Sequence, residues 1–264
     1  MEIRTFAERI FFAESLEAKL ERMSGRILTD KEPGSVLRWS DPNRPPEIRR
    51  ATKRSRKRLP SAQAMAAVEA RVRVLHTFAN HELMAIELMA WALMAFPEAS
   101  PTFRRGVLAI LDDEQRHFRM YADRIAELGA CFGDLAVNHH FLRCGPDLTT
   151  PMKWVCAMNL TFEQANLDLA PVFADRFRIA DDERSAAIMD VIERDEIRHV
   201  GFGARWLKAH TPAGRSTFET YVENLSHHNS PARARGPQFS EVSRLRAGLD
   251  EDFVSQMKAL GEMK

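Results

Sequence analysis

Apolar positions recur at helical spacing through four long stretches of the chain, and proline or glycine marks where each one stops. Residues 3–24 predict a separate first helix. Residues 25–60 predict irregular chain: prolines fall at 33, 42, 45, 46 and 60, and each removes a backbone donor. Residues 61–96 are rich in Ala, Leu, Met and Glu with almost no breakers, and predict one long helix. Pro97 ends it. Ser100-Pro101 then supplies an N-cap and a proline at the first helical position, and a second helix runs to about Leu128 before Gly129. Residues 130–149 read as a connection, with Gly133, Gly145 and Pro146. Thr150-Pro151 repeats the cap-and-proline start, and a third helix runs to about Ile179. Asp181-Asp182-Glu183 places negative charge at the start of a fourth, which ends near Ala209. Residues 213–264 predict shorter helices around Pro231 and Gly236-Pro237. No strand pattern occurs.

The expectation is an all-α chain in three parts. Residues 1–60 are a helix and a basic, Pro-rich extension; 61–210 are a four-helix bundle; 211–264 are a helical extension packed on it.

Composition narrows this only a little. The 264 residues are 45% hydrophobic and 28% charged, enough for a sizeable core. A formal net charge of +1 gives no global field that selects nucleic acid or membrane. Three cysteines, with no Cys-x-x-Cys pair, predict free thiols in a reducing cytoplasm rather than a disulfide framework. The opening MEIRTFAERIFFAESLEAKLER carries acidic residues and no long apolar run, so it predicts neither a signal peptide nor a membrane span. The apolar stretch from Leu83 to Phe96 is broken by Glu87 and is too short to span, so it predicts a helix buried on most sides.

The chemistry lies in a repeat. Asp113-Glu114-Gln115-Arg116-His117 and Asp195-Glu196-Ile197-Arg198-His199 both read DExRH, each near the middle of a predicted helix. Glu and His three apart share one helix face and can reach one point. Glu82 lies 32 residues before Glu114, and Glu163 lies 33 before Glu196. HELMAIELMAWALMAF (81–96) also lies on FEQANLDLAPVFADRF (162–177) without a gap, pairing Glu82 with Glu163 and Glu87 with Asp168. Each predicted hairpin therefore offers a Glu from one helix and a Glu-x-x-His from the other. A single Glu-x-x-His is usually a surface pair; two copies with matched upstream glutamates are not. Glu82, Glu114, His117, Glu163, Glu196 and His199 make four carboxylates and two imidazoles. Such a set suits two metal ions per chain, iron first, with a manganese–iron pair as the alternative.

These residues resemble the ferritin-like superfamily, whose di-iron and di-manganese members use this ligand set. The DExRH form is similar to the boxes of bacterial multicomponent di-iron monooxygenases and acyl-carrier desaturases. The resemblance implies a ferritin-like bundle with those six ligands. It also implies that Asp113 and Asp195 support the ligand histidines while Arg116 and Arg198 hold the aspartates. Over residues 40–255 the chain resembles an uncharacterised bacterial ferritin-like family, domain of unknown function 455. The features are DPNRPPEIRRATKR, HTFANHELMAIEL, both boxes and the tail GPQFSEVSRLRAGL. That family brings a fold and no reaction.

Other residues remain open between two roles. Glu87 and Asp168 are either proton-relay carboxylates or structural ion pairs. Tyr121, one turn past His117 where the other half has Gly203, is either a catalytic electron carrier or a packed core ring. Asn166 is a candidate for lining a cavity. His76 and His81 flank Glu82, and His81 points away from it. Met84, Met89 and Met94 are core filling. His139-His140 and His227-His228 fall in predicted loops, at the surface.

The run RRATKRSRKR (49–58) holds seven basic residues, which are solvated, paired with acidic helices, or docked on RNA, an acidic carrier protein or a reductase. No aromatic interleaving supports a nucleic-acid platform.

Two functions fit. One is O2 activation by an oxidase or monooxygenase that takes a small-molecule substrate and an electron donor. The alternative is ferroxidase or peroxidase chemistry in iron handling or oxidative stress, without an organic substrate. A bundle with a relic site is disfavoured by six intact ligands. Whether the chain forms a homo-oligomer stays open.

Overall fold

The computed structural model describes residues 1–23, 28–48 and 59–261. The basic run at 49–58 lies outside them. The chain is all-helical, with no strand among the described residues beyond an isolated bridge between Glu2 and Thr29. It divides into two compact units, Met1–Gly145 and Pro146–Lys264.

In the first unit, α1 (Ile3–Phe11) buries Ile3, Phe6, Ala7, Ile10 and Phe11, the spacing of one helix face. The predicted single helix over 3–24 is broken: α2 (Leu16–Lys19) starts afresh at Ser15, whose hydroxyl accepts from Ala18 N at 3.2 Å. Long helices α3 (Val68–Ala95) and α4 (Pro101–Glu127) pack as a hairpin. α3 is buried almost all round from Val74 onward, which is why its sequence is apolar on every face. Its C-terminal carbonyls find partners in Arg104, which is itself buried. Arg104 Nη1 donates to Leu93 O at 2.7 Å and Phe96 O at 3.1 Å, while the same guanidinium pairs with Asp30 at 2.8 Å.

The irregular segment before the hairpin runs alongside α3. Leu37 N donates to Met94 O at 3.0 Å, Trp39 meets Trp91 edge-on at 5.2 Å, and Arg44 binds Glu87 at 2.5 Å. Gly145 sits against the Trp39 ring, where any Cβ would overlap it.

After α4 the chain turns at Gly129 (φ 82°), and the following loop docks on His76. His76 Nε2 accepts from Gly133 N at 3.0 Å and the ring stacks on Phe132 at 4.6 Å. Burial pushes the imidazole down to about 4 from its ordinary 6.5. The folded state therefore refuses a proton that the unfolded chain takes. This stability is complete above pH 6.5 and is lost as pH falls from 6.5 toward 4. Relative to His76→Gln, which has nothing to titrate, the protein should lose about 2 kcal/mol between pH 7 and 5. Urea unfolding of both at the two pH values checks it; an unchanged interval would contradict the assignment.

In the second unit, α5 (Pro151–Ala157) is capped by Thr150 and passes without a break into a π-helical turn, Met158–Glu163, and then α6 (Gln164–Ile179). α7 (Glu183–His210) follows after a turn with Asp181 at φ 54°, and Asp182 caps it, accepting from Ser185 N at 3.0 Å. The remainder is three short helices, α8 (Thr217–Glu223), α9 (Glu241–Arg246) and α10 (Glu251–Ala259), with Tyr221, Phe218 and Phe253 clustered between α8 and α10. Among the described residues no helix is long and apolar enough to cross a membrane. Cys131 is exposed, Cys144 and Cys156 are buried, and none forms a disulfide.

Candidate metal centre

All six predicted ligands are buried, none more than 3% exposed. Within the first unit, Glu82 on α3 and Glu114 and His117 on α4 bring one ligand atom each to within 4.8 Å of one another. Within the second, Glu163, Glu196 and His199 do the same. In both boxes the imidazole turns Nδ1 toward its own glutamate: His117 to Glu114 at 3.8 Å, His199 to Glu196 at 3.4 Å. That is the expected consequence of a three-residue helical offset.

The residues beside the two triads also fall into pattern. Arg116 binds Asp113 at 2.8 Å and Arg198 binds Asp195 at 3.0 Å. Asp195 is buried, whereas Asp113 is a quarter exposed. In the second unit, two amides hold carboxylates. Asn159 Nδ2 donates to Glu163 Oε2 at 2.5 Å, and Asn166 Nδ2 donates to Glu196 Oε1 at 2.7 Å. The sequence suggests a cavity lining for Asn166; its amide binds Glu196, one of the six buried candidates. Asn159 carries no signal of its own in the sequence.

The π-helical turn is the feature no periodicity shows. Such turns recur at functional sites because they re-aim side chains, and this one ends at Glu163. Thr161 Oγ1 donates to Cys156 O at 2.7 Å and accepts from Tyr221 OH across 2.8 Å. Burial pushes the Tyr221 phenol up, so it stays protonated and can donate. The turn also explains Gly203. A Cβ there would stand 2.6 Å from Asn159 Cβ and 3.1 Å from Leu160. The matching positions in the first unit are Tyr121 and Phe78, which fill that space with stacked rings 5.9 Å apart. The Tyr121–Gly203 asymmetry thus has a packing basis. Gly203→Ala should cost about 1–3 kcal/mol by overpacking the turn and weaken metal retention at Glu163. Thermal melting and metal analysis of the variant check both.

Glu87 and Asp168 are resolved as ion pairs. Glu87 binds Lys19 at 3.2 Å and Arg44 at 2.5 Å. Asp168 binds Arg244 at 2.6 and 2.9 Å and accepts from Gly236 N and Ser240 N at 2.8 and 2.7 Å. Each carboxylate ties its hairpin to its own unit's extension.

The donor chemistry fits a metal. Four buried carboxylates and two imidazoles give hard oxygen donors with borderline nitrogen, the set that iron and manganese prefer. An all-helical chain with two buried Glu/Glu/His triads, each able to hold a metal ion, is the class that fold and site define. By sequence the chain belongs to the family described as "Protein of unknown function (DUF455)", which matches residues 4–255. It is also similar to an uncharacterized protein of Haemophilus influenzae, 27% identical over 156 residues. That stretch covers 56% of this chain and 54% of the relative, so the chain spans about half of the curated relative's length. No solved structure matches the chain.

Proposed function

We propose that Glu82, Glu114, His117, Glu163, Glu196 and His199 together hold two metal ions, iron or a manganese–iron pair, in a ferritin-like four-helix bundle over residues 61–210. In this reading the protein is an O2-activating oxidase or monooxygenase acting on an organic substrate. The observation that carries it is the burial of two equivalent Glu/Glu/His triads. Four like charges away from water are costly without cations to neutralise them. Three residues per ion, six for two ions, leave coordination positions open.

When bound, the metal pair supplies electron transfer to O2. The chain's own residues hold and shape the site. Asn159 and Asn166 each occupy one oxygen of Glu163 and Glu196, which limits how those carboxylates turn. The apolar wall of α3 excludes water. Tyr121, buried one turn from His117, would serve as an electron carrier in this reading. The electron donor and substrate are partners this reading requires. Oxidation of an organic substrate is preferred to ferroxidase chemistry because the π-helical turn at Glu163 and the Asn159/Gly203 against Phe78/Tyr121 difference make the two halves chemically unlike.

The test is metal content after anaerobic Fe(II) loading, followed by O2 consumption with a reductant. Close to two metals per chain and reductant-dependent O2 uptake support the reading. Little or no retained metal would remove it, and O2 uptake that stops once the added Fe(II) is oxidised would favour the ferroxidase alternative.

A further inference from the structure

A second cluster has metal-ligand chemistry and takes no part in the buried triads. Asp147, His227 and His228, all in the Pro146–Lys264 unit, bring one ligand atom each to within 4.8 Å of one another. Asp147 closes a 3-10 turn, Leu142–Asp147, three residues before the Thr150 cap of α5. The two histidines follow α8 in a loop that is held in shape. Ser226, buried, accepts at Oγ from His228 N at 3.1 Å and at its carbonyl from Asn229 N at 2.9 Å. Arg233 Nη1 donates to His228 O at 3.1 Å. The imidazoles are thus presented from a fixed turn, with ring centroids 3.9 Å apart.

The geometry between Asp147 and His227 differs from an ordinary pair. Asp147 Oδ2 is shielded from solvent and stands 2.9 Å from His227 Nδ1, yet the two make no hydrogen bond. Two donor atoms that share a tetrahedral zinc at about 2.0–2.1 Å stand about 3.3 Å apart, so a shift of a few tenths of an ångström would bring Asp147 and His227 to that separation. Beside them opens a cavity of about 270 Å³, lined by Thr149, Lys153 and Ser226 as well as Asp147 and His227.

We propose that Asp147, His227 and His228 form a separate mononuclear zinc site, open on the cavity side to water as a fourth ligand. Two imidazoles and a carboxylate with one open position are the donor set of open zinc sites. Lys153, whose Nζ donates to Thr149 Oγ1 at 3.2 Å, sits in the same cavity wall. The site does not depend on the buried triads, and its ligands come from two loops that the fold brings together across 80 residues of sequence between Asp147 and His227.

The experiment uses the full chain, stripped of metal and titrated with Zn2+ against a chromophoric chelator. Wild type is compared with Asp147→Asn and with the double variant His227→Ala/His228→Ala. The expected result is one zinc per chain fewer in the double variant, and an affinity for that zinc about tenfold or more weaker in Asp147→Asn. Cu(II) EPR of the wild type should show coupling to two nitrogens that the double variant lacks. Anaerobic iron loading serves as the control and should be equal in all three, since the substitutions are exposed or half-exposed. Equal zinc number and affinity in wild type and double variant would overturn the proposal. So would weak, unsaturable uptake common to all three, which would mark His227 and Asp147 as a surface ion pair only.

Discussion

Glu114→Gln is expected to have opposite effects on the metal-bound and the metal-free protein. If Glu114 is a ligand as proposed, the change removes a ligand carboxylate from the metal-bound protein, which should then retain fewer than two metals per chain. A ligand at a thousandfold excess over its dissociation constant adds about 4 kcal/mol to native stability, and most of that increment should vanish. In the metal-free protein the same change removes one charge from a group of buried carboxylates and should stabilise by about 1 kcal/mol or more. His199→Ala should lose metal equally but without the gain in the metal-free form, because it removes packing and no negative charge. Melting of each protein with metal and with chelator, beside a metal count, reads both halves. If Glu114→Gln or His199→Ala kept two metals per chain with unchanged melting, the ligand set would be wrong.

The two buried Glu/Glu/His triads were legible because they depend on helical spacing, which sequence carries well. Glu114 with His117, and Glu196 with His199, need only a regular helix to converge. The helix ends at Ser100-Pro101 and Thr150-Pro151 were legible for the same local reason: cap and proline chemistry act within one turn. What stayed hidden is what regular periodicity cannot encode. The π-helical turn over Met158–Glu163 contains no proline or glycine to mark it, and its trace is displaced to Gly203, 40 residues on from Glu163. The single helix expected over 3–24 is broken because Ser15 caps a new start at Leu16, within a stretch otherwise rich in apolar and helix-forming residues. The ion-pair partners of Glu87 and Asp168 come from irregular or short elements far away in sequence, so no spacing rule reaches Lys19, Arg44 or Arg244. The pairing of Glu87 with Asp168 in the repeat was visible; their shared structural role required the partners.

That shared role leads to the second large effect. Arg244 is fully buried and binds Asp168 at 2.6 and 2.9 Å, so Asp168→Asn leaves a guanidinium in the interior without its counter-charge. The expected loss is about 3–5 kcal/mol. Because arginine keeps its proton at any accessible pH, the loss should be the same at pH 7 and pH 9. Glu87→Gln is the equivalent change in the first unit, but its buried partner is a lysine. Burial already holds the Lys19 ammonium below its ordinary value, with Glu87 pulling it back up. Once Glu87 is neutral, that upward pull is gone and the folded chain prefers a neutral Lys19. A folded value below the unfolded one means the unfolded state binds more protons between the two, so stability rises with pH through that window. The Glu87→Gln deficit should therefore shrink from pH 7 to pH 9 while the Asp168→Asn deficit does not. Urea unfolding of both variants and the wild type at the two pH values tests this. A cost below about 1 kcal/mol for Asp168→Asn, or parallel pH behaviour of the two variants, would mean that these carboxylates do not pin the extensions to the hairpins that carry the Glu/Glu/His triads.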